Sequence, residues 1–306
     1  MWEKQEAVYC AKNQWGWDRS HAMHPVVDNF TDPNKWRIYF AIRGENNLSR
    51  TSFIDVEPEN PKNILYEHPV PILEIGKLGE FDEFGTIPTS IIRHNDKIIL
   101  YYIGFNIKKS VPFENFIGAA VSLDGITFEK IQGPILGKDA IDPFFIGSLG
   151  VFQDKDIFRG YYMSGLGWQI SNRQPESRYC IKYAESNDAI KWEKKNQIVI
   201  ALENEEAGIC QSTVLKDDLY RMWYCYRGMG DYRLKPPNSY QIGYAESIDG
   251  ISWNRENKRN LKVSDDGWDS LMTCYPCVFK HNDKTWMIYN GNSFGATGFG
   301  FAVWRD

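Results

Sequence analysis

The sequence lacks an excess of basic residues and any long apolar run. Its 35 Lys and Arg residues are outnumbered by 40 Asp and Glu residues, which gives a formal net charge of -5. A nucleic-acid-binding protein usually presents a basic face, so this balance argues against nucleic acid as a partner. No apolar stretch approaches the roughly 18 residues of a membrane span, and residues 1–6 lack the basic and apolar segments of a signal peptide. We therefore expect a cytoplasmic protein with no membrane partner.

A disulfide framework and a zinc motif are also missing. The six cysteines are scattered at Cys10, Cys180, Cys210, Cys225, Cys274 and Cys277. Cys274 and Cys277 have metal-like spacing, but no second Cys or His pair accompanies them, and a structural zinc site needs four ligands. We therefore predict no cofactor and name no metal ligands. A metal is left open because Asp, Glu and His together can hold Ca²⁺ or Zn²⁺.

What the sequence does contain is an internal repeat. Residues 240–253, 116–128 and 179–192 each read as a strand, an Asp-Gly or Asp-Ala turn, and a second strand that ends in an aromatic residue. Asp-Gly between two strand-like runs predicts a hairpin, because Gly accepts the positive φ that tight turns require.

The repeat extends along the whole chain. A small residue or Pro opens an apolar run at 61- to 64-residue intervals, and an aromatic strand centre follows each opening. The openings are Pro25, Pro88, Leu149, Ser212 and Pro276, and the strand centres are Tyr39, Tyr102, Tyr162, Tyr224 and Tyr289. Five units of up to four strands are therefore predicted.

The two ends of the chain complement each other. The fifth unit stops after its third strand, whereas Trp2-Glu-Lys4 matches Trp192-Glu-Lys194 and Phe128-Glu-Lys130, which belong to fourth strands. If the first residues complete the last sheet, the units close into a ring without an exposed edge. The sequence thus predicts an all-β fold, a five-bladed β-propeller formed by a single domain of residues 1–306. A linear solenoid is the alternative.

Acidic residues recur just before the predicted first strands. They are Glu83, Asp142, Glu206 and Asp269, and the first unit has His21 and His24 at the same level. A ring of carboxylates around one funnel would give a hydrolytic site, because repulsion and desolvation separate their pKa values into an acid and a base. The alternative is structural, since acids that precede strands often cap turns.

Arginines and aromatic residues form a second candidate set. Arg43, Arg50, Arg178 and Arg227 lie at the ends or beginnings of second and third strands that would face the same mouth of the funnel. Because Arg grips carboxylate or phosphate through two hydrogen bonds, a ligand with an anionic group is predicted. Trp168 and Tyr226 could stack on sugar faces. Pairing of the arginines with the protein's own acids, and of the aromatics with the core, is the alternative.

With these motifs in place, the sequence resembles the five-bladed propeller glycosidases, a superfamily that includes glycoside hydrolase families 32, 43, 62, 68 and 130. The resemblance spans essentially the whole chain. It is carried by the repeated segments and by Ser20-His-Ala-Met-His-Pro25, Glu80-Phe-Asp-Glu-Phe-Gly85, Asp142-Pro-Phe-Phe145 and Gly267-Trp-Asp-Ser270. Families 43 and 32 carry an acid in an Asp-Pro motif of the first blade, and this chain has His24-Pro25 there. Asp142-Pro143 keeps the Asp-Pro form, in blade 3.

The resemblance implies an enzyme that hydrolyses or transfers a glycosyl unit of an anionic or phosphorylated carbohydrate. Glu206-Ala-Gly208 is similar to the family's general-acid motif, so Glu206 would be the acid, Asp142 or Glu83 the base or nucleophile, and Asp269 a residue that binds hydroxyls or tunes a pKa. His21 and His24 would bind the sugar, and the arginines its charged group. The alternatives are phosphorolysis, a carbohydrate or sugar-nucleotide binding propeller without catalysis, and a protein-interaction propeller.

Overall fold

A computed structural model describes residues 1–305, and it is all-β as the sequence predicts. The first ten strands are β1 (Trp2–Tyr9), β2 (Ser20–Asp28), β3 (Trp36–Arg43), β4 (Ser49–Glu57), β5 (Asn60–Glu67), β6 (Thr86–His94), β7 (Lys97–Asn106), β8 (Glu114–Ser122), β9 (Glu129–Lys130) and β10 (Ile146–Asp154). The others are β11 (Ile157–Ser171), β12 (Gln174–Ser186), β13 (Glu193–Ile200), β14 (Glu206–Lys216), β15 (Tyr220–Gly228), β16 (Gln241–Ser247), β17 (Asn254–Leu261), β18 (Cys274–His281), β19 (Lys284–Asn290) and β20 (Phe299–Trp304). Helical structure within these residues is confined to the turns Glu45–Asn47 and Asn292–Gly295, and no described helix is long and apolar enough to span a membrane.

The strands form consecutive antiparallel groups. β2 to β5 make one four-stranded sheet, and β6 to β9 make the next. β10 to β13 and β14 to β17 follow the same pattern, and one parallel pair, Tyr179 with Gly208, joins them into a single sheet. In the last sheet β1 pairs with β20, so that Trp2 lies opposite Trp304 and strands from the two ends of the chain share one sheet.

Each repeated Asp turn joins the two strands of a hairpin, and it also bonds to the neighbouring group of strands. Asp249 Oδ1 accepts hydrogen bonds from the backbone N–H groups of Ile251 and Ser252, which lowers the pKa of Asp249 to about 2. Gly250 takes the positive φ of 75° that the tight turn needs. The carbonyl of Gly250 in turn accepts a hydrogen bond from Tyr161 of the preceding group of strands.

Equivalent turns bond in the same way to the group before them. Tyr39 donates to the carbonyl of Gly125, and Tyr101 donates to that of Ala189. These tyrosines are buried, so the hydrogen bonds satisfy hydroxyl groups that would otherwise be costly to bury. The repeat in the sequence is therefore also a repeat of contacts between groups.

The first strands of the groups pack beside one another. β2 contacts β6, β6 contacts β10, β10 contacts β14, β14 contacts β18, and β18 contacts β2. The approach is close where Gly150 of β10 faces the backbone of Ser212 of β14, since a Cβ at position 150 would lie 2.1 Å from the Ser212 carbonyl oxygen.

Each first strand also contains a bulge, seen as a shift in its register with the second strand. In four of the five the bulge includes a non-Gly residue with positive φ: His24 at 52°, Ser148 at 29°, Gln211 at 47° and Tyr275 at 55°. Such backbone conformations are costly for ordinary residues and concentrate where side chains must be aimed in a particular direction.

Candidate functional site: a cationic central cavity

The predicted ring of acids is organised differently from the expectation. Each group from the second to the last has a carboxylate ahead of or at the start of its first strand that bonds to a tyrosine of the second strand, to a cation, or to both. We name this arrangement the acid–tyrosine cluster. Its members are Asp82 with Tyr102 and Lys130, Asp142 with Tyr162, Lys182 and Lys194, Glu206 with Tyr224 and Arg255, and Asp269 with Tyr289 and Lys4.

Asp142 shows how completely these carboxylates are satisfied. It is fully buried and accepts hydrogen bonds from Tyr162 at 3.1 Å and Ser164 at 2.5 Å. Lys182 and Lys194 each lie 3.0 Å from it. Burial raises the pKa of Asp142, but the hydrogen bonds from Ser164, Lys194 and Lys182 outweigh it, so the pKa lies below its ordinary value.

Glu206 and Asp269 are held in the same way. Arg255 grips both oxygens of Glu206, with its two Nη atoms at 2.8 and 2.5 Å, and donates from Nε to the Tyr224 hydroxyl. Asp269 Oδ2 accepts from Lys4 at 2.7 Å and from Tyr289 at 2.8 Å. In the second sheet the cluster uses Asp82 instead of the predicted Glu83, whose carboxylate accepts a hydrogen bond from the backbone of Gly79.

A central cavity of about 350 Å³ lies where the first strands meet. Every first strand contributes to its wall: His24, Ile87, Ser148, Cys210 and Tyr275. The remaining lining residues are Arg43, Ile103, Phe105, Pro112, Phe113, Asn115, Met163, Ser177, Tyr179, Tyr232, Arg233, Tyr240 and Phe294. None of the predicted acids Glu83, Asp142, Glu206 and Asp269 lines this cavity, and neither does any other Asp or Glu of residues 1–305.

The cationic side of the cavity is built around Arg43. Its Nη1 donates to His21 Nε2 at 3.3 Å, and His21 Nδ1 lies 2.9 Å from the hydroxyl of Ser20. Burial and the charge of Arg43 together lower the pKa of His21 to about 4, so the ring is neutral near pH 7. Arg43 makes no salt bridge to any carboxylate in the described part of the chain. Burial lowers the pKa of Arg43, and the neighbouring charge of Arg233 lowers it further.

His24 forms part of the buried cavity wall. Its ring stacks on Tyr275 with 3.5 Å between the ring centroids, and its backbone N–H donates to Asn290 Oδ1. Burial lowers the pKa of His24 to about 3. The buried Nδ1 atom of His24 has no hydrogen-bond partner, and neither has the buried Oε1 atom of Gln211. Of the two residues only His24 lines the cavity, so its Nδ1 is the atom that a ligand hydroxyl or a water molecule there could satisfy.

A hydroxyl pair, Tyr179 with Tyr240, lines the same cavity. The two hydroxyl oxygens are hydrogen-bonded to each other, and Tyr179 also accepts from Arg227 Nε at 2.8 Å. Arg227 is fully buried and does not line the cavity; its guanidinium lies over the rings of Tyr179 and Tyr232. It thus holds residues of the cavity wall from behind, which differs from the predicted direct contact with a ligand.

The other predicted binding residues lie outside the cavity lining. Arg50 pairs with Glu74 at 3.3 Å, and Arg178 is exposed on β12. Trp168 packs against Phe113 and Phe145. Tyr226 lies near Arg255, whose guanidinium is 6.0 Å from its ring. Of the predicted set, the structure brings together His21, His24 and Arg43, with Arg227 behind them.

Sequence reasoning missed Tyr179, Tyr240, Tyr275 and Arg233. The signal for Tyr275 was present, because it directly precedes the Pro276 that opens the last unit, as His24 precedes Pro25. The other three lie in a third strand or in the connection between β15 and β16, where nothing in the spacing separates a cavity residue from a core residue.

A second groove adjoins the central cavity. The two share Pro112, Tyr232 and Arg233, and the groove is also lined by Glu176 and Asp231. Glu176 is buried and accepts a hydrogen bond from the backbone of Gly230 at 3.0 Å. Within residues 1–305, no three His, Cys, Asp or Glu side chains are grouped in a way that could hold a metal ion.

Comparison with known proteins gives sequence relatives over the whole chain. No family model matches it. The chain is 36% identical over 306 residues to each of two uncharacterized Mycobacterium tuberculosis proteins, MT1551 of strain CDC 1551 / Oshkosh and Rv1502 of strain ATCC 25618 / H37Rv. In both comparisons 99% of this chain and 98% of the relative are covered.

Solved structures of glycoside hydrolases share this fold. One glycoside hydrolase superimposes with a TM-score of 0.74 at 18% identity, covering 99% of this chain and 92% of the other. A glycosyl hydrolase from Bacteroides ovatus gives 0.73 at 12% identity, covering 100% and 94%. The Bombyx mori GH32 β-fructofuranosidase BmSUC1 gives 0.60 at 12% identity, covering 96% and 62%. The fold is therefore that of the propeller glycosidases, which confirms the predicted resemblance.

Proposed function

The chain belongs to the same family as Rv1502 and MT1551 of Mycobacterium tuberculosis, and we propose that it is a glycosidase-like protein whose central cavity holds the anionic part of a carbohydrate. In this proposal residues 1–306 form one domain, a five-bladed β-propeller. The cyclic order of contacts among the first strands and the pairing of β1 with β20 support this architecture.

One observation carries the choice of ligand: Arg43 lines the cavity and has no carboxylate partner in the described chain. A desolvated guanidinium is stabilised when an anion replaces its lost water, and Arg is suited to carboxylate and phosphate groups. Arg233 is close enough to lower the pKa of Arg43, so the two like charges would be relieved by the same anion. The aromatic rings of Phe105, Phe113 and Phe294 offer flat apolar faces for a sugar ring.

The glycosidase resemblance favours turnover, whereas the cavity lining favours a second candidate, carbohydrate binding without catalysis. Glycosidases generally use two carboxyl groups on either side of the scissile bond. The cavity presents none from residues 1–305, and Asp142, Glu206 and Asp269 are engaged by Lys or Arg. The two candidates share the same anionic ligand and differ in whether a bond is broken.

Binding is tested with Arg43→Gln and a matched control, Arg50→Gln, which alters an arginine already paired with Glu74. The ligands are glucuronate, galacturonate and glucose 6-phosphate, with glucose as the neutral comparison, measured by calorimetry and by thermal shift. We expect the anionic sugars to bind the wild-type and Arg50→Gln proteins at least tenfold more tightly than Arg43→Gln. Equal affinity for glucose and for the anionic sugars would contradict the proposal.

Turnover separates the two candidates. Aryl glycosides of the same sugars are incubated with the protein with and without inorganic phosphate, and release of the aryl group is followed. Release without phosphate indicates hydrolysis, and release only with phosphate indicates phosphorolysis. Tight binding with no release supports the binding protein.

A further inference from the structure

A buried cation without a carboxylate lies directly behind the cavity wall. Arg227 has no exposed surface, and within residues 1–305 no carboxylate forms a salt bridge with it. Its hydrogen bonds go to the hydroxyl of Tyr179, to the carbonyls of Ser177 and Gly228, and to the Ser177 hydroxyl. An isolated buried charge is strongly disfavoured unless nearby groups compensate it. Of its hydrogen-bond partners, the Tyr179 hydroxyl is the one that can become an anion.

Besides each other, the hydroxyls of Tyr179 and Tyr240 contact Arg227 and the Cys210 thiol, which both donate to them. Tyr179 and Tyr240 share one hydrogen bond, which uses one of their two hydroxyl protons. The Arg227 N–H occupies an acceptor position on Tyr179. The remaining hydroxyl proton belongs to whichever tyrosine accepts the shared bond, and both residues line the cavity.

We propose that the Tyr179–Tyr240 pair is the acid–base group of this site, and that Arg227 is the residue that positions and charge-compensates it. The inference rests on the proposed function, because it assumes that a glycoside occupies the central cavity. In this site the two phenols would do the work that a pair of carboxyl groups does in most glycosidases.

The reaction balances with this pair alone. As the bond between the anomeric carbon and the glycosidic oxygen breaks, its electrons go to that oxygen, which takes the free proton of the tyrosine pair. The pair is left as a phenolate next to the Arg227 guanidinium. A water molecule then bonds through its oxygen to the anomeric carbon and gives a proton to the phenolate. The products are a free sugar and an alcohol, and the pair returns to its starting state.

Phenols suit the first step because a departing alkoxide is a stronger base than a phenolate, so proton transfer to it is favourable once the bond is largely broken. Burial raises the pKa of Tyr179, and the Arg227 guanidinium opposes that rise because its positive charge stabilises the phenolate. Arg43 and Arg233 would meanwhile hold the anionic group of the sugar, which fixes the glycosidic oxygen relative to the pair.

The test uses Tyr240→Phe and Tyr179→Phe in the full-length protein. Tyr183→Phe is the control, since Tyr183 is a buried tyrosine on the same strand as Tyr179 that bonds to Glu185 outside the cavity. Substrates are 4-nitrophenyl and methyl glycosides of glucuronate, galacturonate and glucose 6-phosphate. Each single variant keeps one tyrosine with a free proton, so we expect the double variant Tyr179→Phe/Tyr240→Phe to hydrolyse the methyl glycosides at least 100-fold more slowly and the single variants to lose less. The 4-nitrophenyl glycosides, whose leaving group needs no proton, should lose less than tenfold in all three.

A merely structural role would slow both substrate types equally, and that outcome overturns the proposal. So does the same leaving-group selectivity in Glu176→Gln with none in the tyrosine variants, because the buried carboxylate of the adjoining groove would then be the acid. No turnover of any glycoside by the wild-type protein also overturns it. Affinity for the anionic sugars is measured separately, so failure of this inference is distinguishable from failure of the proposed function.

The positioning role of Arg227 is tested with Arg227→Met and Arg227→Lys. We expect Arg227→Met to show the same selective loss for methyl glycosides, and Arg227→Lys to recover at least part of it because it restores the positive charge. Circular dichroism and thermal melting show whether each variant is folded. A folded Arg227→Met protein with unchanged leaving-group dependence would remove Arg227 from the mechanism.

Discussion

The imidazole of His24 lies flat on the phenol ring of Tyr275, with the ring centroids 3.5 Å apart and the planes inclined by 23°. The contact joins the first strand of the first sheet to the first strand of the last sheet. Burial of the ring, together with the nearby charge of Arg43, keeps the imidazole neutral by lowering its pKa.

This contact predicts a pH dependence of stability. Burial lowers the pKa of His24 to about 3 from the ordinary 6.5. The unfolded chain therefore binds a proton at this position between these pH values and the folded chain does not, so the free energy of unfolding falls as the pH falls below about 6.5. When the pH falls from 7 to 5, we expect the free energy of unfolding to decrease by about 2 kcal/mol more in the wild-type protein than in His24→Asn.

The measurement is urea denaturation of both proteins at the two pH values. Asn suits position 24 because it tolerates the positive φ of this residue. His94→Asn, at the turn between β6 and β7, serves as the control. If wild-type and His24→Asn lose equal stability, the ring is not held neutral by its surroundings.

Removing the charge of a buried carboxylate in the acid–tyrosine cluster should destabilise the protein. Asp142→Asn leaves Lys182 and Lys194 without their buried carboxylate, which should lower the free energy of unfolding by about 3–5 kcal/mol. Asp139→Asn is the matched control, because Asp139 also contacts Lys194 but its side chain is 46% exposed, and it should cost less than about 1 kcal/mol. Urea denaturation compares the two, and equal costs would contradict a structural role for Asp142.

Glu206→Gln decides between the structural and the catalytic interpretation of the general-acid motif. Loss of the two-oxygen grip by Arg255 should destabilise the protein by about 1–3 kcal/mol while leaving affinity for anionic sugars unchanged. Thermal melting and calorimetry measure the two quantities. An unchanged melting temperature together with abolished turnover would support the predicted catalytic role of Glu206.

The close approach of two first strands predicts that Gly150 cannot be enlarged. A Cβ there would lie 2.1 Å from the carbonyl oxygen of Ser212, so Gly150→Ala should cost about 1–3 kcal/mol through displaced backbone. Gly137→Ala is the control, since a Cβ there would lie 3.3 Å from a side-chain atom of Phe116 and would meet no backbone atom so closely. If urea denaturation gives Gly150→Ala the full stability of the wild-type protein, β10 and β14 can move apart to make room for the methyl group.

Pairing of β1 with β20 predicts the effect of removing residues 1–9. The deletion would expose the edge of β20, where unpaired backbone groups can bind another chain. We expect a lower melting temperature by calorimetry and concentration-dependent association by light scattering. Trp2→Ala, which removes ring contacts with Trp223 and Trp304 but keeps the strand, should lower the melting temperature without causing association.

The scaffold was predictable because it repeats. The Asp turns, the tyrosines at strand centres and the match of Trp2-Glu-Lys4 to fourth strands recur often enough for one sequence to reveal them. The same regularity left two interpretations of the acids open. Asp142 and Asp269 recur because each sheet needs a carboxylate to bond its own tyrosine and lysine, and recurrence alone cannot distinguish that need from chemistry.

The cavity was only partly predictable because its residues differ between units. His24 and Arg43 were found since they are unusual residues at repeated positions. Tyr179 and Tyr240 were not, because a tyrosine on a strand is typical of the core, and only the coordinates show that these two hydroxyls meet beside a buried arginine.

The bulges of the first strands have a consequence for how such a protein could diversify. His24, Ser148 and Tyr275 line the cavity, and the strand pairing on either side of each bulge is made by backbone groups. Exchanging these three side chains, with the stacked His24 and Tyr275 changed together, would therefore remodel the chemistry of the cavity while the strand pairing stayed intact. New ligand preferences could arise here by point mutation, with no insertion or loop graft.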